Sequence, residues 1–172
     1  MNPLSALSHG LARVERWASR LLVAGFVALI VSNVAMRYVL GRPLVFAEEL
    51  AAILLVWLAF VSISISIHDR AQIGVTLLTD RLPAPLRQAV DKVVLALVAA
   101  MLAVLLWFSA KWVNSPAVDF EQIITTGWAK APFFWIVPVF CVTALVHVLA
   151  DLWESLTTGR GIEIAQSKGL EI

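Results

Sequence analysis

The chain has 172 residues, 60% of them apolar and only 15% charged, with a formal net charge of +1. Soluble domains sit nearer half apolar and about a quarter charged, so this much apolar surface exceeds what one small core encloses and must face lipid or another apolar protein. The balanced charge gives no field for nucleic acid, and the single cysteine, Cys141, supplies neither an internal disulfide nor a metal cluster.

Leu4, Leu7, Leu11, Val14, Trp17 and Leu21 recur at spacings of three and four, with Arg13, Arg16 and Arg20 on other faces. That pattern predicts an amphipathic helix over residues 1–20, lying at the cytoplasmic membrane interface and running into a first span. Crossing the hydrocarbon core takes roughly 20 mostly apolar residues as a helix. Four stretches qualify: about 21–38, 50–67, 93–112 and 133–153. They are continuous rather than alternating, which excludes barrel strands. No small-residue cleavage site follows the first stretch, so it is read as a retained helix. After the second span, Ile73, Val75, Leu77, Leu78 and Leu82 predict a short interfacial helix with Gln72 at its start, ended by Pro83 and Pro85. The third helix is expected from near Leu86. Asn114-Ser115-Pro116 reads as a turn, and Phe120, Ile123, Ile124 and Trp128 as a small apolar patch, either re-entrant or lying on the surface. Pro138 is expected to bend the fourth helix. The expected fold is an all-α integral membrane protein: an amphipathic segment at 1–20, a four-helix membrane domain at 21–158 and a mobile cytoplasmic tail at 159–172.

Lys and Arg set the orientation. Arg13, Arg16, Arg20, Arg70, Arg81, Arg87, Lys92, Arg160 and Lys168 fall on one side, against Arg37, Arg42, Lys111 and Lys130 on the other. The richer side is expected to be cytoplasmic, with both termini inside. Trp17, Trp112, Trp135 and Trp153 sit near helix ends, where indoles favour the interface; Trp57 and Trp107 lie deeper and read as packing residues.

No phosphate loop, HExxH, CxxC or GxSxG occurs, so no catalytic residue and no metal site is assigned. Polar groups in the membrane carry whatever function remains. Arg37 closes the first span and Glu48 and Glu49 open the second, which points to a charged clamp on the periplasmic hairpin, a partner contact, or ion handling. One hairpin offers too few oxygens for a dehydrated cation. Small residues form stripes: Gly25, Ala28, Ser32 and Ala35; Ala52, Ala59, Ser62 and Ser66; Ala96, Ala100 and Ala103. They suit close helix packing, with Trp57, Ser62 and Ser66 serving the second helix and Asn33 donating across an interface. More stripes than one small bundle needs suggest docking on a larger membrane protein. His68 and His147 both fall toward the cytoplasmic half. Two such histidines can hold a haem, which gives an alternative reading as a respiratory membrane anchor; the plainer reading is a helix-end cap and an interhelical hydrogen bond. An autonomous small transporter would need more intramembrane charge than the chain carries.

The segment Arg37-Tyr38-Val39, Phe46-Ala47-Glu48-Glu49-Leu50, Leu55-Val56-Trp57-Leu58-Ala59-Phe60, Gln72-Ile73-Gly74-Val75 and Leu82-Pro83 resembles the small membrane subunit of tripartite ATP-independent periplasmic (TRAP) transporters, the DctQ-like family. Thr125-Thr126-Gly127-Trp128, with Lys130, Pro132, Trp135 and Pro138, is similar to that family's approach to its last helix. The chain departs from the family at Phe46, where a Trp is frequent, and at Gln72 and Thr76, where His and Asp are. The resemblance implies a non-enzymatic scaffold subunit in a bacterial inner membrane, without a cofactor. It implies two partners besides membrane lipid: a periplasmic solute-binding protein that captures an organic acid, and a large DctM-like membrane subunit that imports it down an ion gradient.

Overall fold

The computed structural model describes residues 3–69 and 83–158. Within them the regular structure is helical, apart from one isolated antiparallel bridge between Gln122 and Ala129. We number the helices α1 (Pro3–Val39), α2 (Ala47–His68), α3 (Ala84–Val113), α4 (Pro116–Asp119), α5 (Ala131–Phe134) and α6 (Ile136–Thr158). Hydrocarbon offers backbone groups no water, so a lone apolar segment satisfies them as a helix. Among the described residues, four helices are long and apolar enough to cross a membrane: α1, α2, α3 and the run through α5 and α6.

α1 is one helix of 37 residues, with no break between the amphipathic segment and the first apolar stretch. It ends at Gly41, whose φ of 64° turns the chain back so that the Arg42 N–H still reaches the Met36 carbonyl at 3.3 Å. α3 starts two residues earlier than expected, because the Pro83 carbonyl accepts from the Leu86 and Arg87 N–H groups and opens the first turn. The last span is interrupted at Trp135, three residues ahead of Pro138. The proline ring has no N–H and crowds the carbonyl four residues back, at Phe134, so the discontinuity falls one turn ahead of it. Gln72 and the interfacial helix expected after it lie outside the described residues, as does the tail beyond Thr158.

α1, α2 and α6 pack against one another, and α3 packs on α6. α6 is the central helix. Cys141, Ala144, His147 and Val148 on it are almost fully enclosed, and Ala144 and Val148 meet Leu95 and Leu102 of α3. Small side chains matter here because lipid tails are as apolar as leucine, so close packing rather than water exclusion holds such helices together. Ala47 and Ala51 do the same where α2 starts, and Ala12 in the first half of α1.

The small residues singled out from the sequence lie elsewhere. Gly25, Ala28, Ser32 and Ala35, then Ala52, Ala59 and Ser62, then Ala96, Ala100 and Ala103, are all exposed on this chain, and Ser66 is half-buried. Trp107, expected to pack, is 71% exposed; Trp57 is half-buried and does pack. Its Nε1–H donates to the Phe133 carbonyl at 3.0 Å, tying α2 to the interruption in the last span. Trp57→Phe keeps the ring and removes the donor. It is expected to cost about 1 kcal/mol, read by titrating the detergent-solubilised chain with a denaturing detergent; an unshifted midpoint would show that the bond contributes nothing.

Candidate functional site

Polar side chains gather at the two ends of the bundle. At the end formed by the α1–α2 turn, Asn33 is buried and its Oδ1 accepts from the Leu44 N–H at 2.8 Å, which folds the turn back onto α1. Asn33 thus accepts from backbone rather than donating across an interface. Arg37 lies 3.9 Å from Glu48, with the two side chains 54% and 81% exposed. A pair this long and this wet contributes next to nothing. Glu49 does something different. One carboxylate oxygen accepts from the Ile124 N–H at 3.2 Å; the other accepts from the Thr125 N–H at 3.1 Å and the Thr125 hydroxyl at 2.7 Å. The loop it holds is closed by Ile123 N–H to the Trp128 carbonyl and Gly127 N–H to the Ile123 carbonyl, both 2.8 Å, with Gly127 at φ 72°. Val118 and Ile123 tuck in, while Phe120, Ile124 and Trp128 stay exposed. α2 therefore grips, through Glu49, a loop that begins some seventy residues later.

At the other end α1 begins, α2 ends and α6 passes between them. Ser8, Ala12 and Glu15 recur at spacings of four and three and form the buried stripe of α1. The leucine-rich face beside it is largely exposed, with Leu7, Val14, Trp17 and Leu21 each more than half so. In lipid the usual amphipathic logic inverts: apolar faces meet the solvent and polar ones turn inward. Glu15 Oε1 accepts from the Ser64 hydroxyl at 2.6 Å, and Oε2 lies 3.1 Å from His147 Nε2. His147 is completely buried. Its Nδ1 lies 2.7 Å from Ser8 Oγ, which is also 3.0 Å from His68 Nδ1. Thr143 Oγ1 lies 3.0 Å from Ser64 Oγ. Outside this cluster Arg16 binds Asp69 at 2.6 Å, His9 meets the His68 ring edge-on at 5.0 Å, and Arg20 lies over Trp17 at 5.4 Å. Arg13 is exposed. An apolar groove of about 440 Å³ opens beside Glu15, between α1, α2 and α6, with Leu11, Trp57 and Phe140 in its walls.

The two histidines meet, but not as haem ligands do. Axial ligands face one iron from opposite sides of a macrocycle. Here the ring centroids are 4.9 Å apart and both Nδ1 atoms address the same serine hydroxyl, which leaves no space for a macrocycle between them. Among the described residues, no three His, Cys, Asp or Glu side chains are grouped to hold a metal ion.

This chain has a family match. The family model described as tripartite ATP-independent periplasmic transporters, DctQ component, covers residues 7–158. The chain belongs to the DctQ family. It is similar to the sialic acid TRAP transporter permease protein SiaT of Haemophilus influenzae (strain 86-028NP), 21% identical over 148 residues, which is 86% of this chain and 24% of the relative. The chain thus spans about a quarter of that relative's length. As a DctQ component with four helices able to span a membrane, it is a multi-pass protein of the bacterial inner membrane and part of a TRAP transporter.

In this DctQ chain the structure brings together Glu49 and the Thr125 loop, and His68 with His147. It does not bring Ser62 to a helix interface: the serine that α2 buries is Ser64, 1% exposed. Sequence reasoning passed over Ser8, Glu15, Ser64 and Thr143. The available signal was a carboxylate and a hydroxyl, Glu15 and Ser8, sharing a stripe with Ala12 between the leucine face and the arginines. It was outweighed by the leucines beside it.

Proposed function

We propose that this chain is the small scaffold subunit of a TRAP-type transporter that imports organic acids. In this reading it braces a large DctM-like membrane subunit, works with a periplasmic solute-binding protein, and conducts neither substrate nor coupling ion itself. Transport is driven by an ion gradient acting on the large subunit. Both termini lie in the cytoplasm, so the Glu49-held loop faces the periplasm and the Glu15 cluster faces the interior.

The observation that carries this reading is the outward turn of the small residues. Gly25, Ala28, Ser32 and Ala35 follow helical spacing on a face that none of the described helices covers, and among the described residues a Cβ added at Gly25 meets nothing within 4 Å. Packing within the chain does not require these residues to be small, whereas packing against a neighbour in lipid does. The relative's name supports the class of cargo, since a sialic acid carries a carboxylate, and three quarters of that relative lies outside the matched region.

The experiment is affinity purification of the tagged chain from its native membrane in mild detergent. A large multi-span membrane protein is expected to co-purify. Gly25→Leu should lower its recovery by roughly fivefold while leaving the chain's own yield and helical circular dichroism unchanged. The reading fails if vesicles containing this chain and no other protein accumulate an organic acid.

A further inference from the structure

Glu15, His147, Ser8 and His68 are joined end to end by contacts of 3.1, 2.7 and 3.0 Å. Their donor and acceptor inventories allow few arrangements. Glu15 already takes the Ser64 hydroxyl proton on Oε1, so as a carboxylate it takes an N–H from His147 on Oε2. Ser8 has one hydroxyl proton and faces two Nδ1 atoms, so it donates to one and accepts from the other. With Glu15 ionised and His68 neutral, two arrangements satisfy every contact. In the first, His147 is neutral with its proton on Nε2, and its bare Nδ1 accepts from Ser8. Ser8 then accepts the Nδ1–H of His68, whose Nε2 is bare. In the second, His147 carries both ring protons and donates from Nδ1 to Ser8. Ser8 donates to His68 Nδ1, and the His68 proton sits on Nε2. The two arrangements differ by one proton.

We propose that these four side chains form a proton-binding site, loaded from water at the His68 end. His68 is half-buried at the end of α2, whereas His147 is wholly enclosed. A proton from water forms an N–H bond at His68 Nε2. The His68 Nδ1–H bond then breaks as Ser8 Oγ takes that proton, and the Ser8 O–H bond breaks as His147 Nδ1 takes its proton. His68 ends neutral in its other tautomer, Ser8 ends as a hydroxyl, and the charge rests on the His147–Glu15 pair. Glu15 makes this resting place tenable. An isolated imidazolium is costly in an apolar surround, while one in contact with a carboxylate is strongly attracted where the dielectric is low. The charged and titratable groups that act on His68 besides His147 are His9 and Arg16 from α1 and Asp69 after α2; farther along the same helices lie Arg13 and Arg20 of α1, Arg87, Asp91 and Lys92 of α3, and Cys141, Asp151 and Glu154 of α6. Arg16 and Asp69 are bound to each other, and Asp91 and Asp151 have interactions of their own. The loaded site binds α1 to α6 through an ion pair; the unloaded site does so through a hydrogen bond from a neutral ring.

The test is ¹⁵N NMR of histidine-labelled full chain in detergent, in a His9→Gln background that leaves two rings to read. Nitrogen shifts separate bare from protonated positions on each ring. As pH is lowered from about 8.5 to about 5, the ring that gains the charge should be His147. At the same midpoint His68 should exchange Nδ1–H for Nε2–H while staying neutral. Ser8→Ala should abolish the tautomer exchange at that midpoint, and Ser8→Thr, which keeps a hydroxyl there, should retain it. The proposal is overturned if His68 becomes cationic while His147 stays neutral, if the rings titrate at separate midpoints with Ser8 present, or if neither ring changes across the range.

Discussion

Glu15→Ala is expected to be the most destabilising single change in the described helices. It removes the shorter of two partners of the Ser64 hydroxyl, leaving Thr143 Oγ1 at 3.0 Å, and strands the His147 Nε2–H, 3.1 Å away, on a fully enclosed side chain. Interhelical hydrogen bonds in membranes average only about 0.6 kcal/mol, so two lost bonds alone would be modest. The larger effect comes from leaving the buried His147 Nε2–H without an acceptor, at about 1–3 kcal/mol. A net loss of about 2–3 kcal/mol follows, measured as the shift in a denaturing-detergent unfolding titration. Glu15→Gln keeps one acceptor oxygen and should lose less. An alanine variant as stable as the parent would mean that the cluster does not hold α1 in place.

The second large effect is expected at Glu49. Its carboxylate takes two backbone N–H groups and a hydroxyl from Ile124 and Thr125. Glu49→Ala should free the loop around them, so that the Ile124 and Thr125 amides exchange hydrogen roughly tenfold faster. Glu49→Asp, one methylene shorter, should only partly restore protection. If the loop contributes to docking, uptake by the reassembled transporter falls in parallel. Arg37→Ala is the contrast: its 3.9 Å, solvent-washed approach to Glu48 predicts no change in either readout. Slow exchange retained in Glu49→Ala, or a loss in Arg37→Ala as large as that in Glu49→Ala, would reverse the assignment of the clamp.

The four spans were legible because length and continuous apolarity determine them, and tertiary contacts barely enter. The faces were not. α2 is apolar nearly all round, so its helical period marks no inward side, and Ser62, Ser64 and Ser66 look alike in sequence; only the approach of Glu15 and Thr143 selects Ser64. Glu49 and Thr125 stand 76 positions apart, and Ser8 and His147 stand 139 apart, with no local pattern linking either pair. The first twenty residues misled for a specific reason. Counting leucines finds the side that seeks oil, and in a bilayer oil is on the outside. The Arg37–Glu48 pair was visible as opposite charges near one turn, but its strength depends on distance and wetness, which letters do not carry.

α1 runs unbroken past both polar ends of the bundle. Asn33 and Glu15 are separated by about 27 Å of stiff helix at 1.5 Å per residue, close to the full depth of the hydrocarbon. A rod seated at two such points behaves as a lever. If a neighbouring subunit pushes one seat sideways, the displacement appears at the far surface without any signal passing through the side chains between.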